Sequence, residues 1–124
     1  MKRSMFLFVA VAWMLAAAAA RAQDPVKVDP NHYKVVFEND AVRVLRIHYP
    51  PGEKSVMHEH PDSVAVFLGN QTAKFTFPDG KTQMVTEKLG DVMMTPGGAH
   101  LPENTGDTPI DLVLVELKAK PAAH

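Results

Sequence analysis

The chain contains no cysteine. That excludes disulfide scaffolds, thiolate metal sites and cysteine nucleophiles together. A charge excess of one sign is also missing, with a formal net charge of −1. Setting aside Lys2, Arg3 and Arg21, which fall in the leader described next, leaves 10 basic against 14 acidic residues, a net of −4. There is no run of Lys or Arg, so binding to nucleic-acid phosphates is not expected. After residue 31 no helical period lasts beyond two turns, and there is no internal repeat or heptad. The composition, 46% hydrophobic and 22% charged over 124 residues, is that of one globular domain.

The N-terminus reads as an address. Met1-Lys2-Arg3-Ser4 precedes an apolar run from Met5 to Ala20, and Ala20 and Ala22 place small residues at −3 and −1 of a cut before Gln23. This is the pattern of a secretory signal over residues 1–22. The run is short for a spanning helix, so a periplasmic or secreted protein with no membrane contact after cleavage is expected. The only tryptophan, Trp13, belongs to this leader.

Residues 23–31 are polar, carry Pro25 and Pro30, and read as an extended lead-in to a domain over 32–118, with a tail at 119–124. The domain alternates short runs rich in Val, Ile, Leu, Phe and Thr with turn residues. Strands are predicted over Tyr33–Glu38, Ala41–Tyr49, Ser55–His60, Ser63–Leu68, Thr72–Phe77, Thr82–Glu87, Asp91–Thr95 and Ile110–Leu117. Turn signals every 8–12 residues between short strands indicate an all-β sandwich or barrel. Pro78-Asp79-Gly80 marks a hairpin.

Period-2 alternation shows which faces are buried. Ala73, Phe75 and Phe77 share one face; Ile110, Leu112 and Leu114 share another. The run Val64–Leu68 is apolar throughout and should be covered on both sides. In Ala41–Tyr49 the parity conflicts: Val42 and Val44 oppose Leu45 and Ile47. Either a bulge shifts the phase, or Arg43 or Arg46 points inward.

Three of the six histidines stand out. His58 and His60 lie two residues apart on a predicted strand and so face the same way, roughly 6.6 Å apart along it. Two imidazoles so placed can converge on one cation. His100 follows the tight turn Pro96-Gly97-Gly98-Ala99, which can deliver a third imidazole from another strand. His32, His48 and His124 read as ordinary surface or core histidines.

These residues resemble the two motifs of the cupin family. The first, G-x5-H-x-H-x(3,4)-E-x6-G, is matched by Gly52, His58, His60 and, further on, Gly69. The second, G-x5-P-x-G-x2-H-x3-N, is matched by Gly90, Pro96, Gly98, His100 and Asn104, one residue short between the proline and the histidine. The resemblance implies a double-stranded β-helix, or jelly-roll barrel. It also implies one divalent metal ion on His58, His60 and His100, with Fe, Zn, Mn, Ni and Cu undistinguished. The family's glutamate ligand should fall at Val64 or Ala65, and neither binds metal. Glu59 alternates away from the histidines; Asp62 and Ser63 would have to bend inward after Pro61, and Glu103, close to His100 in sequence, is the better protein candidate for a fourth contact. Three neutral ligands leave the cation its full charge, so the site should favour anions. Arg46 or Arg43, if inward, would bind a carboxylate.

Two functions follow. One is an exported module that binds a small anionic molecule at a three-histidine metal site. The other is a metal-dependent cupin enzyme, an oxygenase or an isomerase/hydrolase, acting on such a molecule. The resemblance also implies a homodimer through Tyr33–Glu38 or Ala41–Tyr49.

Overall fold

The computed structural model describes residues 23–119. The leader expected at 1–22 and all but the first residue of the tail lie outside them. The described residues form one helical turn, α1 (Pro25–Val28), and nine strands. These are β1 (Tyr33–Glu38), β2 (Val42–Tyr49), β3 (His58–His60), β4 (Ser63–Phe67), β5 (Gln71–Thr76), β6 (Thr82–Glu87), β7 (Val92–Thr95), β8 (Gly98–Asn104) and β9 (Ile110–Leu117). They pair into a five-stranded sheet, β1-β2-β9-β4-β7, and a four-stranded sheet, β3-β8-β5-β6. All pairings are antiparallel. This is the double-stranded β-helix expected from the sequence. No helix among the described residues is long and apolar enough to cross a membrane.

The core lies between the sheets and is built by alternation. Leu45, Ile47 and Tyr49 of β2, Ala65 and Phe67 of β4, and Ile110, Leu112 and Leu114 of β9 are all buried. The apolar run of β4 is covered fully on one face only: Ser63, Ala65 and Phe67 are buried, whereas Val64 and Val66 are half-buried. The parity conflict in β2 resolves both ways. Leu45 and Ile47 point inward, so Arg43, on the same parity, does too and bonds Glu116. A register shift between Val35 and Phe37 lies in the partner strand β1.

Three expectations are corrected. Residues 23–31 are not simply extended. Asp24 caps α1 by accepting from the Val26 amide at 3.0 Å, and Pro25 opens the helix where its missing N–H costs nothing. The strand expected at Ser55–His60 begins only at His58. No strand is predicted between Thr95 and Ile110, yet Gly98–Asn104 form β8, which starts within the stretch read as a tight turn. Pro102 is tolerated because its carbonyl, and with it the side of its absent N–H, faces Ser55 rather than β5.

Two glycine positions are dictated by geometry. Gly80 closes the Phe77–Lys81 hairpin at φ 86°. At Gly97 a Cβ would sit 3.1 Å from the His60 carbonyl oxygen and 3.2 Å from the Asp62 amide. The turn before β8 therefore packs directly on the end of β3.

Candidate metal centre

Pairing of β3 with β8 sets His58 opposite His100 and His60 opposite Gly98. All three imidazoles meet inside the barrel, with ring centroids 4.8 Å (His58–His60), 5.0 Å (His58–His100) and 5.3 Å (His60–His100) apart. Each offers a nitrogen within 4.8 Å of the others. His58 and His60 are buried and His100 is half-buried.

Their hydrogen bonds define which nitrogens are free. His58 Nδ1 lies 2.8 Å from the Val56 carbonyl oxygen, which can only accept, so Nδ1 carries the proton and Nε2 the lone pair. His60 Nδ1 donates to Glu116 Oε2 at 2.7 Å, which turns its Nε2 toward the other two rings, where it offers a lone pair when the ring is neutral. His100 Nε2 is buried with no hydrogen-bond partner. An orphaned imidazole nitrogen beside two lone-pair nitrogens is costly unless a cation takes it. The Tyr33 hydroxyl donates to His58 Nε2 at 3.0 Å and would have to yield to one.

Electrostatics agree. Burial, reinforced by the neighbouring His60, pulls the His58 pKa down to about 4. Burial, with His60 and His58 adding, pulls His100 down to about 3. Both are neutral at physiological pH, as a metal ligand must be.

A buttress stands behind the histidines. Burial alone would raise the Glu116 pKa, but hydrogen bonds from His60 and Arg43 outweigh it and hold the carboxyl below its usual value. Arg43 Nε donates to Glu116 Oε1 at 2.6 Å, and its two terminal nitrogens grip Asp24 at 2.9 Å each. On the other side, Ser55 Oγ donates to Asp29 and faces His58 Nδ1 at 3.2 Å. Asp29 also bonds His32, which reaches Glu53 at 2.7 Å and stacks on Tyr49 with centroids 4.2 Å apart. His32 is thus a structural clasp, tying residues 29–33 to the barrel.

The other sequence candidates are placed differently. Arg46 lies on the outer face and pairs with Asp111. Arg43 is inward, but its guanidinium is committed to two carboxylates, so neither arginine is free for a ligand carboxylate. Glu103 alternates away from His100, Pro102 and Asn104 and pairs across the ladder with Lys74, so it cannot reach the histidines. Of the two positions for the family glutamate, Ala65 points inward at 1% exposure and Val64 outward. Glu116 supplies a carboxylate instead, through His60. Its signal was legible: it continues the inward parity of Ile110, Leu112 and Leu114, where a charge needs a buried partner.

Beside the histidines runs a cavity of about 580 Å³, lined by His60, His100, Phe75, Phe77 and Leu114 among others. It opens between β6 and β7, two sheet edges that do not pair with each other, where Gln83 and Met93 line it and are exposed.

An all-β barrel of two antiparallel sheets, with an H-x-H strand and a third histidine converging inside it, defines a cupin-type site. Solved structures agree. A cupin domain from Bordetella pertussis is 28% identical, with a TM-score of 0.65, over 70% of this chain and 92% of that one. A double-stranded β-helix domain protein from Klebsiella pneumoniae is 25% identical, with a TM-score of 0.54, over 71% and 84%. A cupin 2 conserved barrel domain protein from Salinispora arenicola, 20% identical with a TM-score of 0.54 over 82% and 84%, shares the fold. No family profile and no curated protein matches the chain. These likenesses support a cupin-type double-stranded β-helix for the chain.

Proposed function

We propose that this cupin is an exported protein that holds one divalent cation on His58, His60 and His100 and binds a small anionic molecule in the adjoining cavity. The observation that carries the reading is the buried, unpartnered Nε2 of His100 beside two imidazoles whose Nδ1 atoms are engaged, so that their Nε2 atoms face it, that of His58 accepting from Tyr33. A cation on three neutral ligands keeps its full charge, attracts anions and acidifies bound water. The chain's own groups do the positioning: Val56 and Glu116 orient two of the imidazoles, and the apolar cavity walls exclude water. Elemental analysis of untagged protein should find about one metal per chain, and almost none in the triple alanine variant of the three histidines. Equal metal content in both would overturn the reading.

Direct opening of the cavity onto His60 and His100 favours a second reading, a metal-dependent oxygenase or isomerase/hydrolase. Oxygen uptake by metal-loaded protein with candidate enolates or thiols separates an oxygenase from a binding module. Export is supported by the leader sequence, and intact mass of the exported form should begin at Gln23. A homodimer through β1 is supported by its position at a sheet edge and by exposed Val35, Val36 and Phe37. Val36→Lys should then shift the mass seen by light scattering from dimer to monomer.

A further inference from the structure

The cavity has a second polar end. Gln71 and Glu87 sit opposite each other where β5 meets β6, and both line the cavity. They lie at the far end from the histidines. The β5–β8 register sets Thr76 against Leu101, so His100 falls level with Phe77, six positions along the chain from Gln71. At about 3.3 Å per residue that is on the order of 20 Å of strand. Between the two ends the lining is largely apolar, with Ala73, Phe75 and Leu112 among it.

Glu87 is buried at 5% exposure, and its Oε2 has no hydrogen-bond partner. The neighbouring Gln71 is held by its Oε1, which accepts from the Asp111 amide at 3.0 Å, and no donor reaches Glu87 Oε2. A buried carboxylate oxygen left open on a cavity wall is expensive in a core that has no other use for it. The structural work at this end of the barrel is done by others: Asn104 bonds the Tyr49 and Thr108 carbonyls and the Gly106 amide.

We infer that Glu87, with Gln71 beside it, is a ligand-recognition site for the hydrogen-bond-donating tail, a hydroxyl or ammonium, of an elongated and otherwise apolar small molecule whose anionic head lies at the histidines. The inference rests on the proposed metal-centred reading for the head only. Burial pushes the Glu87 carboxyl above its usual pKa against the opposing Gln71 hydrogen bond, with Asp91 adding to the rise. The group is therefore primed for a neutralising partner.

Calorimetric titration of the metal-loaded protein with medium-chain alkanoates and their ω-hydroxy and ω-amino counterparts tests this. The ω-substituted acids should bind about tenfold tighter than the plain ones, as expected for one hydrogen bond to a charged group. Glu87→Leu should reverse that order, while Glu87→Gln should keep the preference for the hydroxyl and lose that for the ammonium. Thermal melts identify any variant that fails to fold, and the two substitutions serve as independent readouts. No discrimination by the wild type, or discrimination that survives Glu87→Leu, overturns the assignment. Repeating the series after chelation separates the two readings. If only the metal reading fails, plain alkanoates bind equally with and without metal, yet the ω-preference remains tied to Glu87.

Discussion

Acidification of the metal-free protein should destabilise it well above the pH at which its carboxylates titrate. His58 and His100 have pKa values pulled from the usual 6.5 to about 4 and about 3, mainly by burial. Between pH 6.5 and those values the unfolded chain takes up protons that the folded chain refuses, so stability falls as pH falls. At about pH 5 each histidine lowers stability by about 2 kcal/mol relative to neutral pH. That is a large share of the roughly 5–15 kcal/mol typical of a domain. Other groups act with different signs. His32 is raised: burial lowers it, but bonds to Glu53 and Asp29 outweigh that, so its contribution is fully present below 6.5 and lost as pH rises through its folded value. Glu87, raised by burial, also favours the folded state on acidification. Asp24 and Glu116 are lowered, and their contributions disappear only below the ordinary carboxylate range. A differential measurement removes these background terms. Urea unfolding followed by tyrosine emission, at neutral pH and at about pH 5, should show the acid-induced loss shrinking by about 2 kcal/mol in His100→Leu. Identical pH dependence in variant and wild type would refute the argument that burial holds His100 neutral.

Glu116→Gln should weaken metal binding about 10–100-fold, because an amide cannot accept from both His60 and Arg43; competition against a chromophoric chelator measures it. Ala65→Glu should tighten binding, because position 65 points into the barrel, whereas Val64→Glu should leave it unchanged; equal effects would refute the β4 register. Asn104→Ala should cost about 1–3 kcal/mol in urea unfolding, since it removes the partner of the buried Tyr49 carbonyl and of the part-buried Thr108 carbonyl and Gly106 amide. A loss below about 1 kcal/mol would show that water replaces the side chain.

Much of the barrel was legible because period-2 alternation and turn residues are local signals. β9 and β6 match their expected spans, and the three histidines converge as their spacing implied. What stayed hidden depended on distant partners. β8 carries Pro102, and proline is ordinarily a strand breaker; only the position of Ser55 across the sheet explains why it is harmless there. Arg43 could not be chosen over Arg46 until Glu116 was seen to lie opposite it in the β2–β9 register. The lead-in gave no periodic signal, since a single capped turn is too short to have one, yet Asp24 and Asp29 both serve the centre. Glu103 was attractive only by closeness in sequence, which in a strand says nothing unless the parity agrees.

The buttress of the histidines joins the two ends of the described chain, Asp24 through Arg43 to Glu116. Such a clasp joins residues far apart in the chain, and loops of that length cost entropy before they return any contact. A partly folded chain therefore has H-x-H but no oriented, charge-backed imidazole at His60. A bound cation would act as a seal on the completed barrel, tying β3 and β8 to that clasp through His60.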